Sequence, residues 1–458
     1  MLSSPATLPF VRALQQRGAR VYMVGGTVRD EMLGQPRKDL DLLVTGVPQP
    51  ELLRCLRPYG RVQLTGRTFG VLKLLPRGWE GPPIDIALPR TEISTGVGHR
   101  DFEVTFDHTL PIETDLGRRD FTINAMAIDL AHGQLLDPFG GHQDLQQRRL
   151  RQVSTLAFPE DPLRMLRGIQ LAARFALTLE PTTRAAMQEH AAAITTVAAE
   201  RIAEELHKLF QAQAPSQGFA AMQAVGLLTH VFPELALQAE QRTAEPVGME
   251  ALGQMTAVSP AFVRTMRRLD AVQQCPLLTY RGHLDLLLAA LLCDDSGPAG
   301  VAPSRVVSLA QQRLMALKLT TIGATPALIL ALITHSAFAI TSLATAAALR
   351  HFAHDIGFPT VCMLFDLRLA DHLAQQLPLE AVLDLRQRLQ HEIDQHAPLA
   401  LKALAINGDD LQQLGIAAGP QMGRILQQLL RHVLDEPEAN TRTQLLTLAH
   451  ELRQQDAP

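Results

Sequence analysis

Strand-like sequence is confined to the first third of this 458-residue chain, and this limits the folds that the chain can adopt. Between about residues 20 and 130, β-branched runs such as RVYMVGG, DLDLLVTG and PIDIALP alternate with helix-like segments. After about residue 145, Ala, Leu, Gln and Arg recur with helical spacing up to the C-terminus. The sequence therefore predicts an α+β protein, with an N-terminal mixed-sheet head and an all-helical remainder.

The length of the chain predicts several structural units, because one hydrophobic core rarely serves more than about 300 residues. Segments that contain Pro and Gly interrupt the helical part near residues 213–218, 243–249, 294–304 and 396–398. We therefore predict four regions, which are a head over 1–145, a helical neck over 146–212, a helical body over 213–395 and a helical tail over 396–458.

The composition is that of a globular protein, with 47% apolar and 19% charged residues. No apolar run approaches the length that spans a bilayer, so no membrane association is expected. The N-terminal segment lacks the pattern of a secretion signal, which predicts a cytoplasmic location. The cysteines lack CxxC spacing, so we expect buried thiols and neither a zinc site nor a disulfide framework at Cys55, Cys275, Cys293 and Cys362.

The net charge of −4 argues against an extended basic surface, but arginines cluster locally. Guanidinium groups suit phosphates and base edges better than ammonium groups do. A local basic groove for a nucleic acid is therefore predicted around the clustered arginines, which are Arg118, Arg119, Arg148, Arg149, Arg151, Arg164, Arg167 and Arg174.

The first motif with catalytic potential is VGGTVRDEMLGQPRKDLDLLV, in which a strand is predicted to end at Gly25-Gly26 and a helix to begin near Val28. Paired glycines let the backbone approach a phosphate. Asp39 and Asp41 lie two residues apart on a predicted strand, so both side chains should face one side and share magnesium ions. The alternative is a Gly-Gly turn followed by exposed aspartates on an edge strand.

The GGTVRD and DLD motifs together resemble the head of class II nucleotidyltransferases in the polymerase beta superfamily. Further blocks follow in that family's order, namely RTE at 90–92, GRRDFTINAMAIDL at 117–130, DPFGGHQDLQQRRLR at 137–151, EDPLRMLRGIQLAARF at 160–175 and AAERIAEELHKLF at 198–210. The resemblance covers about 190 residues. It implies a member of the tRNA nucleotidyltransferase and poly(A) polymerase family, similar to the bacterial CCA-adding enzymes.

The resemblance implies a Mg²⁺-dependent, cytoplasmic enzyme that binds tRNA, ATP and CTP and adds C, C and A to the tRNA 3′ end without a nucleic-acid template. No protein partner is evident. The residues that match the family's motifs are expected to act as follows. Asp39 and Asp41 are catalytic and bind the metal, and the nucleotide is bound by Gly25, Gly26, Arg29, Arg119, Asp161, Arg164 and Arg167.

The EDPLRMLR block also permits an interpretation from spacing alone. Asp161 and Arg164 are three residues apart at a predicted helix start, so their side chains should be neighbours. The resemblance makes this pair the amino-acid template for the incoming base, whereas a bare salt bridge is the alternative. Arg167 would hold triphosphate or ribose. The family usually has another arginine where Gln170 stands, and Arg174 is the candidate to replace it.

The remaining blocks lead to structural expectations. In GRRDFTINAMAI we predict a helix led by Arg118 and Arg119, with Arg119 held by a neighbouring aspartate. DPFGGHQDL is expected to be a structural strand-to-helix turn. AAERIAEELHKLF is expected to form an amphipathic helix that supports the site. The polar segment over 90–120 resembles the family's flexible loop, with a merely mobile hairpin as the alternative.

The helical remainder contains HLDLLLAALLCDDSG, which resembles a phosphohydrolase motif except that Cys293 stands where that motif has histidine. We therefore expect no hydrolase activity from it. The segment over 401–442 resembles the family's C-terminal tail, whose turns suit contact with RNA phosphates. We expect RNA to be recognised by its backbone and 2′-hydroxyl groups.

Three rival functions remain open. A partial enzyme would add only A or only CC. A bacterial poly(A) polymerase shares the catalytic blocks, and GRTF at 66–69 loosely resembles a Gly-basic-basic-Phe stretch of those enzymes. An inert RNA-binding protein could share the scaffold, but the presence of both Asp39 and Asp41 argues against it.

Overall fold

The computed structural model describes residues 5–36, 39–65, 70–94, 102–240, 247–251, 254–293 and 303–455. The chain forms two compact units, unit 1 over Met1–Val258 and unit 2 over Ser259–Pro458. The finer division predicted at residues 145, 212 and 395 stays a prediction.

All strands of the described residues lie in unit 1. They are β1 (Arg20–Val24), β2 (Asp41–Thr45), β3 (Gly60–Thr65), β4 (Val71–Pro76), β5 (Ile84–Ala87), β6 (Arg90–Ser94), β7 (Phe102–Phe106), β8 (Ala127–Asp129), β9 (Leu135–Leu136), β10 (Arg149–Leu150), β11 (Thr178–Leu179), β12 (Val247–Ala251) and β13 (Gln254–Val258).

Seven of these strands form one sheet in the order β3-β4-β5-β2-β1-β8-β9. The sheet is mixed, because β2 runs parallel to β5 and antiparallel to β1. Strand β1 lies inside the sheet between β2 and β8, and its apolar residues from Val21 to Val24 are all buried. This architecture confirms the prediction of a mixed-sheet head.

The helices of unit 1 are α1 (Pro9–Gln15), α2 (Gly26–Met32), α3 (Gln49–Leu56), α4 (Ile112–Gly117), α5 (Gly141–Gln146), α6 (Ala157–Glu160), α7 (Leu163–Phe175), α8 (Pro181–His190), α9 (Ala199–Phe210), α10 (Pro215–Ala224), α11 (Leu228–Val231) and α12 (Pro233–Glu240). Among them α7 packs against α9, and both are amphipathic with a buried face.

Unit 2 is helical throughout its described residues. Its helices are α13 (Pro260–Gln274), α14 (Leu284–Leu292), α15 (Pro303–Ala316), α16 (Pro326–His335), α17 (Ala346–Ile356), α18 (Thr360–Gln375), α19 (Glu380–Asp394), α20 (Gly408–Gln413), α21 (Pro420–Asp435) and α22 (Arg442–Gln455). The last three share a core that includes Leu411, Ile425, Leu429 and Leu445. The part of the chain after the head was predicted to be all-helical and is mostly helical, since the short pair β10–β11 and the hairpin β12–β13 interrupt it.

The segment GRRDFTINAMAI differs from its prediction as a helix. Helix α4 ends at Gly117, a 3₁₀ turn spans Thr122–Asn124, and the chain then enters β8. The backbone N–H of Thr122 donates to the carbonyl of Arg151, and β8 pairs with β1. Sheet pairing therefore overrides the local helical pattern, while the apolar residues expected to pack are buried, apart from the partly buried Ile128.

Within the described residues, no helix is both long and apolar enough to cross a membrane. Cys55 and Cys293 are buried, whereas Cys275 and Cys362 are partly buried. The prediction that the thiols are buried therefore holds fully for two of them.

Candidate active site

A cavity of about 550 Å³ in unit 1 brings the predicted site residues together. It is lined by Gly26, Thr27, Arg29, Asp30, Asp39, Asp41, Arg90, Arg118, Arg119, Asp120, Asn124, Asp161, Leu163, Arg164, Arg167, Gln170, Leu171, Arg174, Arg201 and Lys208. Every predicted site residue except Gly25 is among them. The lining is dominated by arginines and aspartates, which suits a ligand with both phosphates and cations.

The paired aspartates lie where the sheet meets this cavity. Strand β2 begins at Asp41, so the prediction that Asp39 also belongs to the strand is wrong. Leu40 between them is buried, whereas Asp39 is exposed and Asp41 partly buried, so both carboxylates still line the cavity. Thr27 ties this segment to α2, because its hydroxyl donates to the Asp39 carbonyl and accepts from the Asp41 N–H, each at 3.4 Å.

Asp41 lies in an environment of excess negative charge. Burial, with the nearby carboxylates of Asp85 and Asp39, raises the pKa of Asp41 to about 6 against the opposing effects of Arg119 and Lys73. Asp85 lies directly beside Asp41 in the parallel register of β2 and β5. It was not among the predicted site residues, although the alternating PIDIA pattern placed a lone carboxylate within an otherwise apolar strand.

The donor set at this position fits a divalent cation. Mg²⁺ is usually bound by one or two carboxylates and completes its coordination with substrate phosphates and water. Among the residues that the structure describes, no group of three or more His, Cys, Asp or Glu is placed to hold a metal ion by itself. The carboxylate of Asp85 lies near Asp41 and adds negative charge. Asp39 and Asp41 therefore suit a metal site whose coordination is completed by a substrate phosphate.

Gly25 links β1 to α2 in a conformation that disfavours other residues. Its φ is +72°, and a Cβ at this position would lie 2.6 Å from Nη1 of Arg119. Hence the glycine allows the Arg119 guanidinium to lie directly against the turn. This close approach is a structural reason for glycine at the predicted position.

We expect Gly25→Ala to lower nucleotide transfer by about tenfold or more, because it displaces Arg119 in addition to straining the backbone. Gly18→Ala is the matched control, since Gly18 also has a positive φ of +83° but has no atom within 4 Å of the Cβ position. Both variants should lose about 1–2 kcal/mol of stability. The prediction would be wrong if transfer rates measured below the melting temperature fell equally in both.

Asp115 anchors two arginines of the site. Its carboxylate, which is fully buried, accepts from Arg118 at 2.7 Å and from Arg119 at 3.1 Å. Burial alone would raise the pKa of Asp115, but the two guanidinium groups outweigh burial and lower it. Arg119 is thus held by a nearby aspartate, as predicted, although this aspartate is not the adjacent Asp120. The anchor lies one helical turn earlier, at the end of α4.

Asp120 instead belongs to a network that joins arginines from two helices, in which Asp120 is buried and Arg167 is half-exposed. It pairs with Arg167 of α7 at 3.0 Å and accepts from the Asn124 side-chain amide at 3.0 Å. The Asn124 oxygen in turn accepts from Arg29 of α2 at 2.7 Å. Arg29 also packs over the ring of Phe175, with 4.4 Å to the ring centroid. Two arginines predicted to bind phosphate are thereby held in fixed positions.

The predicted base-selecting residues both line the cavity but have separate ionic partners. Asp161 precedes α7, which begins at Leu163, so the prediction that it lies on the helix is wrong. Its carboxylate pairs with Arg201 at 2.8 Å. Arg164 pairs with Glu160 at 3.1 Å. The backbone carbonyl of Asp161 accepts from the Arg164 N–H at 2.9 Å, which keeps the two residues adjacent.

Further cationic residues reach the cavity from α7 and α9. Gln170 is buried, and its side-chain oxygen accepts from Arg174 at 3.2 Å. Arg174 lines the cavity, as its predicted role requires. Arg201 and Lys208 of α9 also line it, although the sequence predicted only a supporting helix there. The amphipathic pattern gave no signal that these two residues face a ligand site.

The turn DPFGGHQDL makes the expected structural contacts. The Asp137 carboxylate accepts from the backbone N–H groups of Gly141 and His142 at 2.7 and 2.9 Å. Three predictions fall at least partly on residues outside the described ranges. These are the loop over 90–120, for its residues 95–101, the stretch GRTF at 66–69, and the segment HLDLLLAALLCDDSG, for its residues after Cys293.

Three family models match this chain. The model described as "Poly A polymerase head domain" matches residues 21–151, which include the paired aspartates. One described as "Probable RNA and SrmB- binding site of polymerase A" matches residues 176–238. One described as "tRNA nucleotidyltransferase domain 2" matches residues 363–449.

Curated relatives match about half to three fifths of the chain. The multifunctional CCA protein of Haemophilus ducreyi is 37% identical over 286 residues, covering 61% of this chain and 64% of that protein. The protein of the same name from Nitrosococcus oceani is 42% identical over 218 residues, covering 47% of this chain and 50% of that one. The chain thus matches about half to two thirds of the length of these relatives.

Solved structures match over almost the whole chain at lower identity. The Bacillus stearothermophilus CCA-adding enzyme in complex with CTP has a TM-score of 0.67 at 22% identity, covering 99% of this chain and 98% of that one. The Thermotoga maritima CCA-adding enzyme complexed with tRNA has a TM-score of 0.63 at 22% identity, covering 97% of this chain and 94% of that one. At this level of identity, the likeness shows the fold.

Proposed function

The chain belongs to the family of tRNA nucleotidyltransferases and poly(A) polymerases, and on this premise we propose that it adds CCA to the 3′ end of tRNA. The substrates are CTP and ATP, and no nucleic-acid template is used. The nucleotidyl groups are added in the order C, C, A, and each addition releases pyrophosphate.

One observation supports this proposal above the others. A single cavity contains a carboxylate pair, arginines held in place by buried partners, and the adjacent Asp161 and Arg164. Nucleotidyl transfer needs all three, because it must position the α-phosphate, neutralise the triphosphate and choose the base. An RNA-binding scaffold without catalysis needs only the cationic groups.

Members of this family generally use a divalent metal ion, and we assign Mg²⁺ to Asp39 and Asp41. The ion would supply charge stabilisation to the attacking 3′-hydroxyl and the departing pyrophosphate. Around it, Arg29 and Arg119 lie where they can neutralise phosphate oxygens, and Arg167 extends the cationic lining along α7. Arg174 completes that lining beside Gln170.

The RNA is assigned to the parts of the chain that follow the head. Residues 176–238 and 363–449 match models of RNA-binding and tRNA nucleotidyltransferase regions, respectively. RNA duplexes of A-form present their backbone and 2′-hydroxyl groups in a shallow minor groove, which proteins recognise by shape. A cytoplasmic location, where tRNA matures in bacteria, is part of the same proposal.

The test uses tRNAs that end before the first C, after one C, and after CC. Each is incubated with the full chain and Mg²⁺, with CTP and ATP supplied separately and together, and the 3′ ends are sequenced. Complete CCA on all three substrates is the expected result. Addition of only A or only CC would identify a partial enzyme, a long A tract would identify a poly(A) polymerase, and no addition would contradict catalysis.

We further expect no metal-dependent phosphodiesterase activity from unit 2. His283 caps the N-terminus of α14, where its Nδ1 accepts from the Asp285 N–H at 3.3 Å, and the Cys293 thiol at the other end donates to Ser336 at 3.1 Å. Hydrolysis of bis(p-nitrophenyl) phosphate should be absent with Mg²⁺, Mn²⁺ or Ni²⁺. Measurement in the Asp39→Ala variant excludes a contribution from the nucleotide site, and hydrolysis that persists there would overturn the expectation.

A further inference from the structure

We propose that Lys73 is a positioning residue beside the metal site, which holds the carboxylate of Asp85 and offsets negative charge next to Asp41. Its charge thereby limits how tightly the site binds a divalent cation before a nucleotide is present. This inference rests on the proposed function, because it extends the assignment of Mg²⁺ to Asp39 and Asp41. It starts from the ion pair in which Nζ of Lys73 lies 3.0 Å from Oδ1 and 3.2 Å from Oδ2 of Asp85.

Lys73, Asp85 and Asp41 form a row across neighbouring strands of the sheet. Lys73 of β4 is the register partner of Asp85 in β5, and Asp85 is the register partner of Asp41 in β2. The strand neighbours of Lys73 and Asp85 are all buried, namely Leu72, Leu74, Ile84 and Ile86. Because side chains alternate along a strand, Lys73 and Asp85 lie on the opposite face, in line with Asp41.

The carboxylate of Asp85 is held by this lysine. Its Oδ1 is a buried atom that accepts no hydrogen bond from the residues that the structure describes, and its Oδ2 accepts from Nζ of Lys73. The two side chains are 38% and 36% exposed, so the ion pair by itself contributes little to the stability of the fold. Its effect is therefore expected in the charge that the neighbouring metal site presents to a cation.

The charge of Lys73 acts at Asp41 as well as at Asp85. Burial and Asp85 raise the pKa of Asp41, whereas Arg119 and Lys73 lower it. Neighbouring strands are about 4.8 Å apart, so the backbones of Lys73 and Asp41 are separated by about 10 Å. Over that distance the repulsion between one positive charge and a divalent cation changes the binding constant several-fold, even in water. Neither Lys73 nor Asp85 lines the cavity, so Lys73 acts by its charge and not by contact with the nucleotide.

The expected consequence is that the metal ion binds together with the nucleotide. Mg²⁺ in such sites is held by one or two carboxylates and by substrate phosphates, which bring further negative charge. A resident ammonium group weakens the binding of the cation to the carboxylates alone, and the triphosphate compensates for it. Lys73 therefore favours a metal ion that arrives with the substrate.

The experiment titrates the full wild-type chain, Lys73→Met and Lys73→Arg with Mn²⁺ in the absence of nucleotide and tRNA, and electron paramagnetic resonance measures the free Mn²⁺. Asp41→Asn identifies the binding that belongs to this site, because it removes one ligand. Arg61→Met is the matched control, since Arg61 is an exposed cation on β3, three strands from β2 and so about 14 Å from Asp41. Circular dichroism checks the fold, and transfer rates with CTP and tRNA binding are measured in parallel.

We expect Lys73→Met to bind Mn²⁺ about threefold more tightly than the wild type at an ionic strength of about 0.1 M, and the difference to shrink at about 1 M, where charges are screened within about 3 Å. Lys73→Arg keeps the charge and should match the wild type, as should Arg61→Met, which lies beyond the screening length of about 10 Å at the lower ionic strength.

An unchanged or weaker affinity for Mn²⁺ in Lys73→Met would overturn the inference, and so would a gain of equal size at both ionic strengths, which would indicate a structural change. If Lys73→Met weakened tRNA binding and left Mn²⁺ binding unchanged, Lys73 would be an RNA contact and the inference would be wrong. A wild type that binds Mn²⁺ through Asp41 but adds no nucleotide would instead contradict the proposed function, and the Mn²⁺ titrations would still decide the role of Lys73. A wild type that binds no Mn²⁺ at this site would overturn the inference together with the metal assignment.

Discussion

Asp39→Ala and Asp41→Ala are each expected to lower nucleotide transfer by about a thousandfold or more, while tRNA binding stays near that of the wild type. The physical reason is that a metal ion contributes several kcal/mol of charge stabilisation to an in-line displacement. Both carboxylates line the same cavity, and Thr27 holds the backbone of both. Single-turnover rates with CTP and Mg²⁺, together with a tRNA gel-shift measurement, check this expectation.

The environment of Asp41 makes it possible to distinguish the effect of a substitution on activity from its effect on stability. Burial and Asp85 raise the pKa of Asp41, so the ionised carboxylate opposes folding at neutral pH. Replacing Asp41 with asparagine removes this charge and keeps the shape. We therefore expect Asp41→Asn to melt at the same or a higher temperature than the wild type, although it is inactive. The Glu113→Gln variant, which changes an exposed carboxyl group on α4, should match the wild type in both measurements.

Substantial transfer by either alanine variant would contradict the assignment of these two residues to the metal. A loss of activity accompanied by a loss of folding would point to a structural role for the aspartates instead. The inactive but stable Asp41→Asn variant distinguishes these two outcomes.

The parts of the site that could be predicted from sequence depend on local geometry. Alternation along an extended segment placed Asp39 and Asp41 on one side, and the Gly-Gly pair marked a turn between a strand and a helix. Both properties are determined by residues a few positions apart. The structure retains them, even though β2 itself begins only at Asp41.

The ionic partners could not be predicted, because each depends on how distant elements pack. Asp120 pairs with Arg167 across 47 positions, and Asp161 pairs with Arg201 across 40. Sequence spacing favoured nearer partners for both aspartates. The segment after Arg119 shows the same limitation, since its apolar pattern fits a helix until pairing of β8 with β1 is known.

The second large effect is expected at the base-selecting residues. Asp161→Ala and Arg164→Ala should relax base choice and raise incorporation of UTP or GTP relative to CTP and ATP. A carboxylate only accepts hydrogen bonds, and a guanidinium only donates them. Cytosine and adenine both present an amino donor beside a ring-nitrogen acceptor, so either base satisfies both side chains. Uracil and guanine present a carbonyl acceptor beside an N–H donor, which is the reverse order.

The size of this effect follows from the cost of mismatched polar groups. A buried group left without a partner costs about 1–3 kcal/mol, so two such groups give discrimination of about a hundredfold or more. Removing either side chain removes part of that cost for the wrong base. Arg167→Ala is the contrasting variant, because Arg167 is paired with Asp120 and lines the cavity as a phosphate or ribose contact. Arg167→Ala should weaken the binding of all four nucleotides alike.

Asp161 and Arg164 have separate ionic partners, so the effect of replacing one can be measured without displacing the other. Since Arg164 pairs with Glu160 and Asp161 with Arg201, each alanine variant leaves the other residue with its own ionic contact. The remaining member should therefore keep its position, and the change in selectivity reports the loss of one hydrogen-bonding group. Ratios of kcat/KM for the four nucleotides provide the measurement. If both variants lose rate uniformly and keep the wild-type preference, Asp161 and Arg164 stabilise the helix start and do not select the base.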